Sequence, residues 1–179
     1  ATVWAAVTYW ALQDPNRLAM LPTLLILAAA CIALCQIDLA HHRLPNAIVY
    51  PLYAVVAVGI VAAGLLTGSW PIGAVLGSMA LWTGVFGGLL LVTQGRGMGM
   101  GDVKFAPVLG ATLGWFGWGP SVLGLLATFL IGGTLGTALV ITRRVTRRQA
   151  IPFGPFMVTG IAIGLLLGSG AAQWYLTGG

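Results

Sequence analysis

The chain has 179 residues, 59% apolar and only 6% charged, against roughly 45–50% apolar and about 25% charged in ordinary soluble domains. A soluble fold of this size could not cover itself with polar groups, so lipid must cover it, and no room is left for a separate soluble domain. The net charge of +5, from eight basic and three acidic residues, reports loop orientation in a membrane protein rather than nucleic-acid binding, and no nucleic-acid partner is expected.

Residues 1–12 are apolar but too short to span a bilayer, which takes about 20 residues. They read as an interfacial helix or the remnant of another span. The chain starts at Ala1 without Met or a charged leading region, so no intact signal peptide is read. Asp14 follows in "QDPNR", a polar turn in which Asp before Pro is ordinary turn chemistry. Residues 1–17 thus form a short apolar segment and turn, and 18–179 a transmembrane domain.

The first long apolar run covers 18–37 and ends at the polar cluster 38–46. Within it Cys31 and Cys35 are four residues apart on one helix face, out of disulfide reach, and read as small buried hydrophobes. A second run covers 48–66 and stops at "TGSWP", a third covers 72–93, and a glycine-rich loop occupies 94–102. A shorter apolar stretch reaches Trp118, where Gly119-Pro120 breaks it. Two further spans, 121–142 and 156–175, flank the basic segment "RRVTRRQ". The expected fold is therefore an all-α polytopic membrane protein with six main transmembrane helices. Glycine pairs four apart, Gly84-Gly88, Gly132-Gly136 and Gly160-Gly164, are expected to let helices approach closely.

If six spans alternate, Arg43, Arg96, Lys104, Arg143, Arg144, Arg147 and Arg148 fall on one side and Arg17 on the other, which makes the first side cytoplasmic. Asp38 and Asp102 land on that side together. The expected location is the inner (cytoplasmic) membrane.

With no Glu and three Asp, any carboxylate chemistry falls to Asp14, Asp38 or Asp102. The last two border apolar helices, where an ionisable group is a functional hypothesis by default. Two carboxyls in a poorly solvated site share one proton, so one can act as base on a water while the other protonates or polarises a peptide group. Against this stands a structural role, in which each caps a helix or pairs with a base, Asp38 with Arg43 or Asp102 with Arg96. Glycines at 95, 97, 99 and 101 would let another chain approach the second aspartate, and the GK[ST] ending of a phosphate loop is missing. His41 and His42 are adjacent and lack a third ligand, so no metal and no cofactor is expected. A rival of another class is a small transporter or channel subunit whose border aspartates bind a cation or relay protons. The position of both at span ends, rather than centres, speaks against it.

Three stretches, "IDLAHHRLPN" at 37–46, "GMGDVK" at 99–104 followed by "LGATLGW", and "IPFGPF" at 151–156, resemble in order the motifs of the type IV prepilin (leader) peptidases, GxGD-type intramembrane aspartic proteases. The resemblance covers the chain from about residue 18. It implies that Asp38 and Asp102 are the two catalytic aspartates and that the protein removes the basic leader from prepilin-like membrane substrates at the cytoplasmic boundary. Gly99 and Gly101 would shape the loop, and Lys104 would snorkel to lipid phosphates. Many bacterial members also N-methylate the new amino terminus and carry a CxxC-type cysteine cluster. That cluster does not occur in this sequence, so methyltransferase activity is not expected of it. Residues 1–12 would be the tail of a family helix.

Overall fold

The structure, a computed structural model, describes residues 2–94, 99–141 and 152–177, and all its regular elements are helical. In chain order they are α1 (Thr2–Ala11), α2 (Pro15–Ala19), α3 (Leu21–His41), α4 (Asn46–Thr67), α5 (Ile72–Val92), α6 (Met100–Trp115), α7 (Trp118–Ile141) and α8 (Gly154–Thr177). The turn expected at Asp14 is a helix cap: its Oδ1 accepts from the Asn16 and Arg17 amides at 2.7 and 3.4 Å, starting α2 with Pro15 in the first turn.

Among the described residues, four helices are long and apolar enough to cross a membrane: α3, α4, α5 and the Trp118–Leu135 part of α7. Multi-pass membrane character follows from these, and the expected count of six is not reached among those residues by length and composition. Helix α6 has 16 residues, about 24 Å at 1.5 Å each, short of a core roughly 30 Å thick. Helix α8 has 24 residues, of which the described stretch Gly154–Gly168 is apolar.

Burial follows sequence period on the outer helices. On α3 the buried residues Leu24, Leu27, Cys31, Leu34 and Asp38 recur every three or four positions, one stripe of a helix. The opposite face keeps Ile26, Ile32 and Leu39 exposed, as a lipid-facing surface requires. Cys31 and Asp38 share the inward stripe, while Cys35, expected to be buried beside Cys31, sits half-buried at its edge.

Helix α6 follows no such rule. Every residue from Phe105 to Trp115 is buried, because other helices rather than lipid surround it. Its Gly110 and Gly114 lie against the α5 backbone: an added Cβ would stand 2.6 Å from the Ser78 carbonyl oxygen and 2.6 Å from that of Ala74. On α8, Gly160 and Gly164 meet α7 in the same way, at Gly124, Thr128 and Pro120. Of the expected glycine pairs, Gly160-Gly164 therefore packs helix on helix. Gly84 and Gly88 face open space, and Gly132 makes room for the Phe153 and Phe156 rings. Gly136 is described only as part of the α7 backbone.

Two expected breaks also move. Helix α3 does not stop at Asp38 but runs to His41. It ends at His42, whose left-handed φ of 51° lets its amide donate to the Asp38 carbonyl at 2.8 Å. Gly119-Pro120 lies inside the start of α7, since Pro in a first turn forfeits no helical hydrogen bond.

Candidate active site

Asp38 lies in the last turn of α3 and Asp102 in the first turn of α6; they are 3% and 6% exposed. Four chain segments meet around them. The loop after α3 brings Leu44 against Gly101, where an added Cβ would lie 2.9 Å from the Leu44 Cβ and 3.1 Å from its amide nitrogen. Close approach of two backbones is what glycine permits here. From α4, the Tyr53 hydroxyl donates to the Lys104 carbonyl at 2.7 Å. The start of α8 supplies the Gly154 amide, which donates to Asp38 Oδ2 at 2.8 Å across 116 residues of sequence.

Asp38 thus takes its contact from a backbone amide and not from Arg43, whose side chain is exposed. Asp102 does cap its helix, its Oδ2 accepting from the Gly99 amide at 3.2 Å. This half of a capping box occupies one carboxyl oxygen. Gly101, beside Asp102, meets Leu44 in the loop that follows the helix of Asp38. The structure therefore brings Asp38, Gly99, Gly101 and Asp102 together at one end of the bundle. The other proposed partner of Asp102, Arg96, lies outside the described residues.

Asp14 lies at the other end. It lines a cavity of about 160 Å³ with Ser69 of the α4–α5 turn, Trp115, Phe116 and Pro120, so the loops α1–α2, α4–α5 and α6–α7 gather there. The expected cluster Arg143, Arg144, Arg147 and Arg148 falls outside the described residues.

The Lys104 Nζ reaches Asn46 Oδ1 at 3.2 Å and stands 5.5 Å from the Tyr50 ring. Because Tyr53 ties the first turn of α6 to α4, the ammonium finds these partners on α4.

Gly154 lies within the motif stretch 151–156, but its contact with Asp38 could not be read there, since a backbone amide leaves no side-chain signal. Its placement comes from aromatic packing. Phe153, the residue before it, meets Phe86, Phe129 and Phe156 with ring centroids 5.2–6.0 Å apart within the cluster. Phe86 stacks in turn on Trp82, whose indole donates to Ser121. Such ring contacts contribute about 0.5–1.5 kcal/mol each beyond area burial. They fix the chain entering α8, and with it the amide on Asp38. His41 and His42 are both exposed at the end of α3, and among the described residues no group of three His, Cys, Asp or Glu side chains converges for a metal.

A family model described as the type IV leader peptidase family matches residues 25–141. Among curated relatives, the "Prepilin leader peptidase/N-methyltransferase" of Aeromonas hydrophila is 34% identical over 154 residues. Proteins of the same name from Aeromonas salmonicida and Pseudomonas aeruginosa are each 36% identical, over 158 and 157 residues. These alignments cover 86% of this chain but 52% of each relative, so the chain spans about half the length of the curated relatives it matches. No solved structure matches it. By the match over 25–141 and the ordered motifs around the two buried aspartates, the chain belongs to the type IV leader peptidase family.

Proposed function

We propose that this chain is an intramembrane aspartic endopeptidase that removes the basic leader from prepilin-like membrane proteins. The observation that carries the reading is the pair of buried carboxyls, Asp38 and Asp102, delivered to one end of the bundle by helices distant in sequence. In a site this poorly solvated the pair holds one proton between them. The ionised member takes a proton from an attacking water as the protonated member donates to the carbonyl oxygen; as the C–N bond breaks, the proton taken from water passes to the leaving amine and the diol hydroxyl returns its proton to the second carboxyl. Gly101 keeps the two loops in contact, Gly99 holds one oxygen of Asp102, and the Gly154 amide holds one oxygen of Asp38.

In this reading α3 to α8 are the six spans, with α6 and α8 completing the crossing inside the bundle. The aspartate end faces the cytoplasm across the inner membrane, as the basic residues Arg43 and Lys104 near it favour. Of the two activities in the relatives' name we assign the peptidase to this stretch, since the carboxyl pair accounts for hydrolysis and not for methyl transfer. Incubation of the detergent-solubilised protein with a prepilin-like peptide, read by mass spectrometry, should give one cut before the apolar segment. An intact peptide under conditions where the protein stays folded would overturn the assignment.

A further inference from the structure

An apolar groove of about 450 Å³ runs along the seam between α3 and α8, with Val7 and Trp10 of α1 forming its third wall. None of the described side chains lining it is charged, and the Thr159 hydroxyl on its rim is already taken by the Pro155 carbonyl at 2.8 Å. The lining is almost wholly apolar. Ile32 and Leu166, 42% and 59% exposed, open it toward lipid.

The groove is in register with Asp38, because α3, which carries it, and α8, whose Gly154 amide holds it, also line the groove. On α3 its lining runs from Leu24 to Ile32, about 12 Å at 1.5 Å per residue. Cys31 in its floor precedes Asp38 by seven residues, about 10 Å along the axis. On α8 the lining begins at Val158, four residues or about 6 Å past Gly154, the residue that holds Asp38.

We infer that this groove seats the apolar helix of the substrate just beyond the scissile bond, so that two turns of helix packed against α3 and α8 present the bond to Asp38 and Asp102. The inference rests on the proteolytic reading for the identity of the substrate. A lipid acyl chain would fill the same apolar space without any need for this register.

The test uses the Asp102→Asn protein in detergent–lipid micelles, so that binding is read without cleavage. A prepilin-like peptide carries a benzophenone residue three to seven positions beyond the cut. Crosslinks are expected on Ile32, Val158 or Ala162, and they should be lost when Ala162→Trp fills the groove. Crosslinks confined to other lipid-facing residues, such as Leu65 or Leu91, would overturn the inference. So would labelling of the groove by a photoreactive phospholipid that excess peptide fails to displace. The outcomes separate from those of the parent reading. A wild-type protein that cuts the peptide but crosslinks it elsewhere keeps the protease and loses the groove. One that crosslinks here but cuts nothing keeps a helix-binding groove and loses the protease.

Discussion

Among the described residues Asp38 and Asp102 each accept from one backbone amide, of Gly154 and Gly99 respectively, and that makes their roles separable by substitution. Asp38→Asn and Asp102→Asn keep shape and volume but cannot share a proton, so each is expected to lower cleavage by a factor on the order of 10³ or more while expression and helicity stay intact. Asp14→Asn, at the opposite end, should change little. Full activity in either of the first two would remove the dyad. Gly154→Ala gives a graded case. Its Cβ would stand 2.8 Å from Asp38 Oδ2, yet Ala at the first position of a helix is innocuous, so the folded protein should persist with the carboxyl displaced. A misplacement near 1 Å lowers turnover about 10²-fold, and steady-state kinetics beside a circular dichroism spectrum would read both quantities. The donor set also predicts that EDTA leaves cleavage unchanged; inhibition that added zinc reverses would return attention to His41 and His42.

Among the elements, the helices that touch lipid were legible and the one that does not was not. Periodic burial on α3 follows from apolar spacing, and the inward turn of Asp38 with Cys31 could be read seven residues apart. Helix α6, buried from Phe105 to Trp115, offers no polar face and no lipid face, so its sequence looks only like a short, weak span. The glycines show the same limit. Spacing marks Gly84-Gly88 and Gly110-Gly114 alike as small pairs, but which face meets another helix is set by the bundle. Substitution separates them: Gly114→Ala and Gly110→Ala drive a methyl into the α5 backbone and should destabilise by about 1–3 kcal/mol. Gly84→Ala, with nothing within 4 Å of the new Cβ, should be neutral or stabilise slightly through helix propensity. Thermal unfolding in one detergent would rank the three, and equal losses would contradict the α5–α6 contact. That Asp38 and Asp102 share one end of the bundle was legible from span parity, while their proposed roles come from the resemblance. The amide of Gly154 and the aromatic cluster that positions it were not legible, since neither follows from local pattern.

For the whole molecule, the geometry divides charge between two ends. Asp38, Asp102, Arg43 and Lys104 gather where α3 ends and α4, α6 and α8 begin, while Asp14, Arg17 and Ser69 gather at the other end. Basic residues in short loops are retained on the cytoplasmic side, and span parity in the sequence expects Arg96, Arg143, Arg144, Arg147 and Arg148 on the side of the two aspartates. Orientation is therefore open to a direct test with single cysteines, because Arg43 and Ser69 are both exposed. The native thiols interfere little: Cys31 is buried and Cys35, half-buried within α3, can be replaced by Ala. In intact cells a membrane-impermeant maleimide should label Ser69→Cys and spare Arg43→Cys, which should react only after the inner membrane is opened. The reverse pattern would put both aspartates outside and with them any cleavage. Labelling of both residues from one side would mean that α4 does not cross, and no arrangement of the remaining helices would then keep Asp14 and Asp102 at opposite ends.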